Sequence, residues 1–300
     1  MAMAKRIILF FAVNILVMIT ITTILRILGI EPYLTSSGLN YQSLAVFCLV
    51  WGFGGAFISL ALSKVMAKFS MGVTVINPAT ARGAEMDLVQ TVHRLAKSAG
   101  LSKMPEVGVY NSPEVNAFAT GPTRNNSLVA VSTGLLQRMN RSEVEGVLAH
   151  EVAHIANGDM VTMTLIQGVI NAFVMFFARV IAFAISNALR SNDDESPSTM
   201  LNFAITIVLE IILSLLGMIV VMAFSRWREY RADAGAAALG GRGNMVAALR
   251  ALRNMTQMVD TSHQSVATLK IAGKTGGLMA LFSSHPSLES RIERLERMTG

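Results

Sequence analysis

"LAHEVAHIANGDMVTMTLIQGVI", Leu148 to Ile170, is the stretch whose reading decides the fold. It begins with two histidines at helical spacing and runs within a few residues into a long apolar segment. His150, Glu151 and His154 spell H-E-x-x-H. Residues i and i+4 lie one turn apart on one helix face, so both imidazoles can reach a single ion. Glu151 lies beside that face, where its carboxylate can meet a metal-activated water without being a ligand. Zinc lowers the pKa of such a water to about 7, and a carboxylate can then take its proton. The bland alternative is an ordinary surface helix bearing two histidines. The β-rich segments before the motif and its helical context weigh against that alternative.

The apolar continuation belongs to a wider pattern. Apolar residues make up 52% of the 300 and charged residues only 15%, against about 25% charged in ordinary soluble domains. Ile7 to Leu25 is uncharged, follows Lys5 and Arg6, and has the length of about 20 residues that a spanning helix needs. No small-x-small cleavage site follows it, which favours an uncleaved anchor over a signal peptide. Ser43 to Ser63 is a second run, in which "WGFGGAF" offers small residues for close helix packing. The third, about residues 160–189, is interrupted by Arg179, and the fourth, Ser198 to Ser225, contains Glu210. Both charges should face a helix, protein or water rather than lipid; they are candidates to pair, and a snorkelling Arg179 is the equal alternative.

Lys5, Arg6, Lys64, Lys68, Arg226, Arg228 and Arg231 all fall on one side of a four-span arrangement. The excess of positive charge there predicts that both termini and both polar stretches are cytoplasmic. The loop with "NDDES", Asn192 to Ser196, then lies on the other side. A net charge of +6 fits anionic lipid better than nucleic acid, because no arginine-rich face, aromatic platform or zinc-finger spacing occurs. The single cysteine, Cys48, excludes an internal disulfide and a multi-cysteine zinc site.

The expected organisation is therefore two spans in residues 1–63, a polar stretch 64–157, a transmembrane hairpin 158–225 and a polar stretch 226–300. The polar stretches together are large enough for one core. Glu85 to Ser98 reads as an amphipathic helix, and "PEVGVYN", "VNAFATG" and "SLVAVS" as strands of a small sheet. Ser142 is the expected cap of the motif helix, whose Glu143 and Glu145 suit its positive end. Glu229 to Leu239, Asn244 to Met255 and Ser287 to Met298 read as helices. "GKTGG" at Gly273 lacks the earlier glycine of a phosphate loop, since position 268 is Thr268.

A catalytic zinc takes three protein ligands and one open position, and the motif supplies two. A third histidine six residues on is absent, because that position is Met160, and residue 157 is Asn157 rather than glycine. His93 and His263 are isolated, and Glu143 is about 10 Å away along the helix. "SRWREYRADAGAAAL" offers Glu229 and Asp233, again spaced i, i+4. Glu229 is the candidate third ligand, and Asp233 a candidate acceptor for the free ring N–H of His150 or His154. A solvated acidic pair balanced by Arg228 and Arg231 is the rival reading. The hairpin would return the chain to where it left, joining residues 75 positions apart in sequence. Asp159, at the boundary, reads most simply as an interfacial carboxylate, the alternatives being that it helps end the water-exposed section or binds nearby cations.

The strings "FGG", "NAFATG", "SLVAVSTGLLQ", "HEVAHIANGDMVTMTLIQG", "SRWREYRADAG" and the "HP" at His285 resemble the HtpX family of bacterial inner-membrane zinc metalloproteases. That family is related to the CAAX-type prenyl-protein zinc proteases, and the resemblance runs over nearly the whole chain. It implies an α+β membrane protein with four transmembrane helices and a cytoplasmic zincin-like (gluzincin) domain. It also implies one Zn2+ held by His150, His154 and Glu229, Glu151 as general base, and proteolysis of membrane proteins in envelope quality control. By the same likeness, Asn116, Ala117, Phe118 and Ala119 belong to a strand beside the zinc that pairs with extended substrate. An inner strand with a packing Asn116 is the alternative. His285 is implied to donate to the oxyanion of the reaction, or else makes only a local bond at a helix start.

Two other classes compete with the enzyme. A metal-stabilised adaptor would keep the ligands and lose the base, yet Glu151 is present. A transporter would use Arg179 and Glu210 as a relay, a thin pathway for four spans. Polypeptide substrates and the bilayer are the expected partners; oligomeric state is not legible.

Overall fold

The computed structural model describes residues 15, 17–27, 29, 34, 35, 38–189, 199–262, 281 and 283–298. Residues 7–14 of the first expected span, the "NDDES" loop, His263 and the "GKTGG" segment lie outside the described residues. The elements run α1 (Val17–Ile27), β1 (Leu34–Thr35), β2 (Gly38–Leu39), α2 (Tyr41–Met71), β3 (Thr74–Val75), α3 (Ala84–Ser98), β4 (Glu106–Tyr110), β5 (Ala117–Thr123) and β6 (Asn126–Ser132). They continue with α4 (Thr133–Arg138), α5 (Arg141–Asn157), α6 (Asp159–Ala188), α7 (Thr199–Ala236), a π-helical turn (Ala237–Gly241), α8 (Arg242–Ser262) and α9 (Leu288–Arg297).

The described residues are mostly helical, with a small mixed sheet. Among the described residues, three helices are long and apolar enough to cross a membrane: α2, α6 and the helical run that begins with α7. Of their apolar windows only 17%, 22% and 11% is buried. Ile207, Val208, Ile211, Ile212, Leu215 and Leu216 of α7 are exposed. A water-facing surface of that kind is far larger than soluble proteins tolerate, which marks these faces for hydrocarbon.

The chain divides into two units, residues 1–60 with 163–221 and residues 61–162 with 222–300. In the first, a Cβ added at Gly52 of α2 would sit 2.7 Å from the backbone N of Ala172 and 2.8 Å from the carbonyl of Gly168. Only glycine lets α2 and α6 approach that closely. Arg179 and Glu210 pair at 2.6 Å, and Arg179 also lies over the Phe47 ring. Paired in this way, Arg179 does not interrupt α6, which runs as one helix through the position where the apolar run is broken.

The second unit holds the four-stranded sheet, ordered β3-β4-β6-β5. β4 and β6 are parallel, with Val107 opposite Val129; β5 and β6 are antiparallel, with Phe118 opposite Ala130. Leu128 to Val131 of central β6 are completely buried, as expected of a strand covered on both faces. One face packs Val129 and Val131 against Val92 and Leu95 of α3, Leu148 and Val152 of α5, and Leu249 of α8. The other packs Leu128 and Ala130 with Tyr110 and Phe118. β5 is an edge strand, not an inner one.

Two local expectations are corrected. The cap of α5 is Asn140, not Ser142: Asn140 Oδ1 accepts from the Glu143 N–H at 3.1 Å, and Glu143 Oε2 accepts from the Asn140 N–H at 2.9 Å. The reciprocal pair satisfies two amides that one serine hydroxyl cannot. Nor does a new helix start at Glu229. α7 passes unbroken from Thr199 to Ala236, because no proline or capping residue intervenes to stop it.

Candidate metal centre

The centre lies within the second unit and is built from α5, α7 and the residues that begin α6 and α9. On α5 the 3.6-residue period brings His150 and His154 to one buried face. α7 crosses α5 closely, since a Cβ on Gly235 would meet the Ala153 Cβ at 2.9 Å. That approach carries the buried Glu229 and Asp233 to the two histidines.

The distances describe a convergent set of donors. His150 Nε2 and His154 Nε2 are 3.1 Å apart. Glu229 Oε1 is 3.3 Å from His154 Nε2, and Glu229 Oε2 is 3.5 Å from His150 Nε2. Ligands held about 2.0–2.1 Å from a tetrahedral zinc stand about 3.3 Å from one another, so this set has the spacing that such an ion needs. Glu229 Oε1 is buried without a hydrogen-bond partner among the described residues, a costly state for a carboxylate oxygen unless a cation completes it. The residues therefore fit a metal ion, and His150, His154 and Glu229 are the group among the described residues able to hold one.

The remaining polar atoms fix how these donors point. His154 Nδ1–H donates to Asp159 Oδ2 at 2.6 Å, and His150 Nδ1 lies 3.0 Å from Asp233 Oδ1. With each Nδ1 committed to a carboxylate, each Nε2 is left to present its lone pair. The carboxylates are clamped in turn. Arg291 donates to both oxygens of Asp233 at 2.8 and 2.6 Å, and Arg231 donates to Asp159 Oδ1 at 2.6 Å. His285 Nδ1 lies 2.8 Å from Glu229 Oε2, while its side chain is 61% exposed.

Burial alone would push both imidazoles down in pKa. The hydrogen bond to Asp159, the facing carboxylate of Glu229 and the nearby charge of Glu151 override it and raise His154 to about 9. Bonds to Asp233 and Glu229 likewise raise His150. Glu151 is half-buried and reaches His154 and Arg291 only through its charge. Its carboxylate is free of any hydrogen bond or ion pair with described residues.

Of the residues singled out by sequence, His150, His154, Glu229, Asp233 and His285 meet at this centre. Asn116 does not join it by hydrogen bonding. Its backbone is pinned to β6, accepting from the Ser132 N–H at 2.9 Å and donating to Ser132 Oγ at 3.2 Å, which fixes where edge strand β5 begins. His93 instead bonds the Pro105 carbonyl at 3.2 Å. Asp159, Arg231 and Arg291 were missed as partners of the centre. Asp159 had a local signal: Gly158, in the left-handed region at φ 69°, ends α5 and turns the next residue back towards His154.

Comparison with known proteins agrees with this geometry. Residues 83–299 match the family model described as Peptidase family M48. A protein named Protease HtpX homolog from Bacillus licheniformis is 54% identical over 98% of this chain and 99% of its own. The protein of the same name from Bacillus subtilis is 51% identical over 98% and 99%, and that from Chlorobium phaeobacteroides is 55% identical over 97% and 99%. The crystal structure of S. mikatae Ste24p is similar in fold, with a TM-score of 0.66 at 19% identity, covering 98% of this chain and 64% of that one. A family match over most of the chain, joined to buried donors of a metal site in a protein with membrane-spanning helices, leads to one conclusion: the chain belongs to peptidase family M48 and is a membrane metalloprotease.

Proposed function

We propose that the chain is a zinc-dependent endopeptidase of the bacterial inner membrane that cleaves misfolded or damaged membrane proteins. The observation that carries this reading is the meeting of His150, His154 and Glu229, with donor atoms within 4.8 Å of one another. Zinc, when bound, supplies the Lewis acidity that polarises a scissile carbonyl and lowers the pKa of a water. Glu151, with no hydrogen bond or ion pair among the described residues, takes the proton of the attacking water and passes it to the leaving amine nitrogen. Asp159 and Asp233 hold the two imidazoles in the tautomer that presents Nε2. His285, exposed beside Glu229, is proposed to stabilise charge developing on the carbonyl oxygen. With Nδ1–H given to Glu229, its Nε2 donates only in the imidazolium form.

The outer edge of β5, with Ala117, Phe118 and Ala119, pairs with no strand among the described residues and offers backbone groups to an extended polypeptide. Such pairing grips main chain rather than particular side chains. It selects unfolded segments, which supports a role in quality control. Metal removal tests the reading. A chelator is expected to abolish cleavage of a casein-type unfolded substrate, and added zinc to restore it. Proton and metal compete for His154 Nε2, so apparent zinc affinity should strengthen as the pH rises from 6.5 towards 9. Cleavage that survives complete chelation overturns the proposal.

We further propose four spans, with residues 64–157 and 226–300 forming one cytoplasmic protease domain. The support is the gathering of basic residues at Lys64, Lys68, Arg226, Arg228 and Arg231. A topology reporter fused within Ser191 to Ser196 should read as periplasmic. A cytoplasmic readout would place the α6–α7 hairpin within the membrane rather than across it.

A further inference from the structure

We infer that Arg231 is a positioning residue for the metal centre, acting on His154 through Asp159. The inference rests on the reading of His150, His154 and Glu229 as zinc ligands. Asp159 is 1% exposed, and both its oxygens are engaged: Oδ2 by His154 Nδ1 and Oδ1 by Arg231, each at 2.6 Å. A carboxylate buried this deeply and held by one imidazole alone would be free to pivot. Pivoting turns the His154 ring and misdirects the lone pair on Nε2. A charge-assisted bond from arginine to the second oxygen fixes the carboxylate plane. Arg231 is itself held in place, its guanidinium 4.9 Å from the Trp227 ring centroid one turn earlier on α7.

The same construction occurs on the other ligand, where Arg291 clamps Asp233 and Asp233 faces His150. Each imidazole is thus backed by a carboxylate, and each carboxylate by an arginine from a different helix. Arg231 sits two residues after Glu229, so α7 acts on the centre twice. It does so directly through Glu229, and indirectly through Asp159 at the first residue of α6.

Zinc affinity measured by competition with a chelating fluorophore tests this, on the full chain in detergent. The set is the unaltered protein, Arg231→Gln, Arg231→Lys, Asp159→Asn and the double variant Arg231→Gln/Asp159→Asn. Arg231→Gln is expected to weaken zinc binding about tenfold, the lower end for a group behind a ligand. Arg231→Lys should recover most of that loss. The double variant should bind no worse than Asp159→Asn alone, because among the described residues Arg231 meets the centre's hydrogen-bond network at Asp159. Arg231 is 39% exposed at its side chain, so its variants test the idea even if Asp159→Asn folds poorly. Unchanged zinc affinity in Arg231→Gln, even with a lowered melting temperature of the metal-free protein, would reduce the pair to a structural tie and overturn the inference. Losses that multiply in the double variant would overturn it too. Failure of the unaltered protein to bind zinc would instead sink the ligand assignment, and the inference with it.

Discussion

Glu151→Gln is expected to lower peptide cleavage by about 10²- to 10⁴-fold, the usual contribution of a general base, with zinc still bound at one per chain. The substitution keeps shape and volume and removes the ability to accept a proton. Because the Glu151 carboxylate makes no hydrogen bond or ion pair with described residues, no structural contact is lost. What is lost is its charge, which is one of several influences favouring the protonated form of His154. The thermal midpoint should therefore move little. Turnover measured against an unfolded substrate, alongside metal analysis of the same sample, separates the two effects. A variant that retains full turnover, with contaminating proteases excluded, would falsify the role of Glu151.

Glu229→Ala is the second large effect, and it acts on the metal rather than on the proton. It removes the carboxylate that lies within 3.5 Å of both His150 and His154, and it leaves His285 Nδ1 without its acceptor. Two imidazoles alone make an incomplete site. Zinc affinity should fall by more than the about 10- to 100-fold that follows loss of an outer partner, and activity should vanish with it. The side chain is 1% exposed, so Glu229→Gln, which preserves volume, guards against misreading a folding defect. Unchanged zinc affinity in both variants would move the third ligand to Asp233 or His285.

The sequence carried the parts of this structure that repeat on a short period. His150 with His154, and Glu229 with Asp233, announce themselves because four residues make about one helical turn. The spans announce themselves because hydrocarbon demands some 20 apolar residues in a row. Strand β6 could be read from its β-branched run, but the edge position of β5 could not. Strand order depends on which crossovers form, and the local pattern of "NAFATG" is the same in the middle of a sheet as at its rim. The arginine clamps were out of reach for a related reason. Arg291 lies 58 residues from Asp233 and Arg231 lies 72 from Asp159, and on their own helices both look like ordinary surface charges. Asp159 was seen but undervalued, because its value depends on the turn at Gly158.

Helix ends were misread where two signals overlapped. Ser142 is a good capping residue beside a better-placed Asn140, and the glutamate that completes the reciprocal bond, Glu143, sits at the spacing that favours Asn140. The change from apolar to charged sequence at Arg226 resembled the start of a new helix. It marks only where the surroundings of α7 change, since helical hydrogen bonding continues through it.

The most direct measurement is an anomalous-scattering map at the zinc edge from crystals of the zinc-loaded protein. The account predicts one peak about 2.0–2.1 Å from His150 Nε2 and His154 Nε2, with Glu229 completing the protein ligands. A peak elsewhere, or one at the histidines with Glu229 turned away, would contradict it.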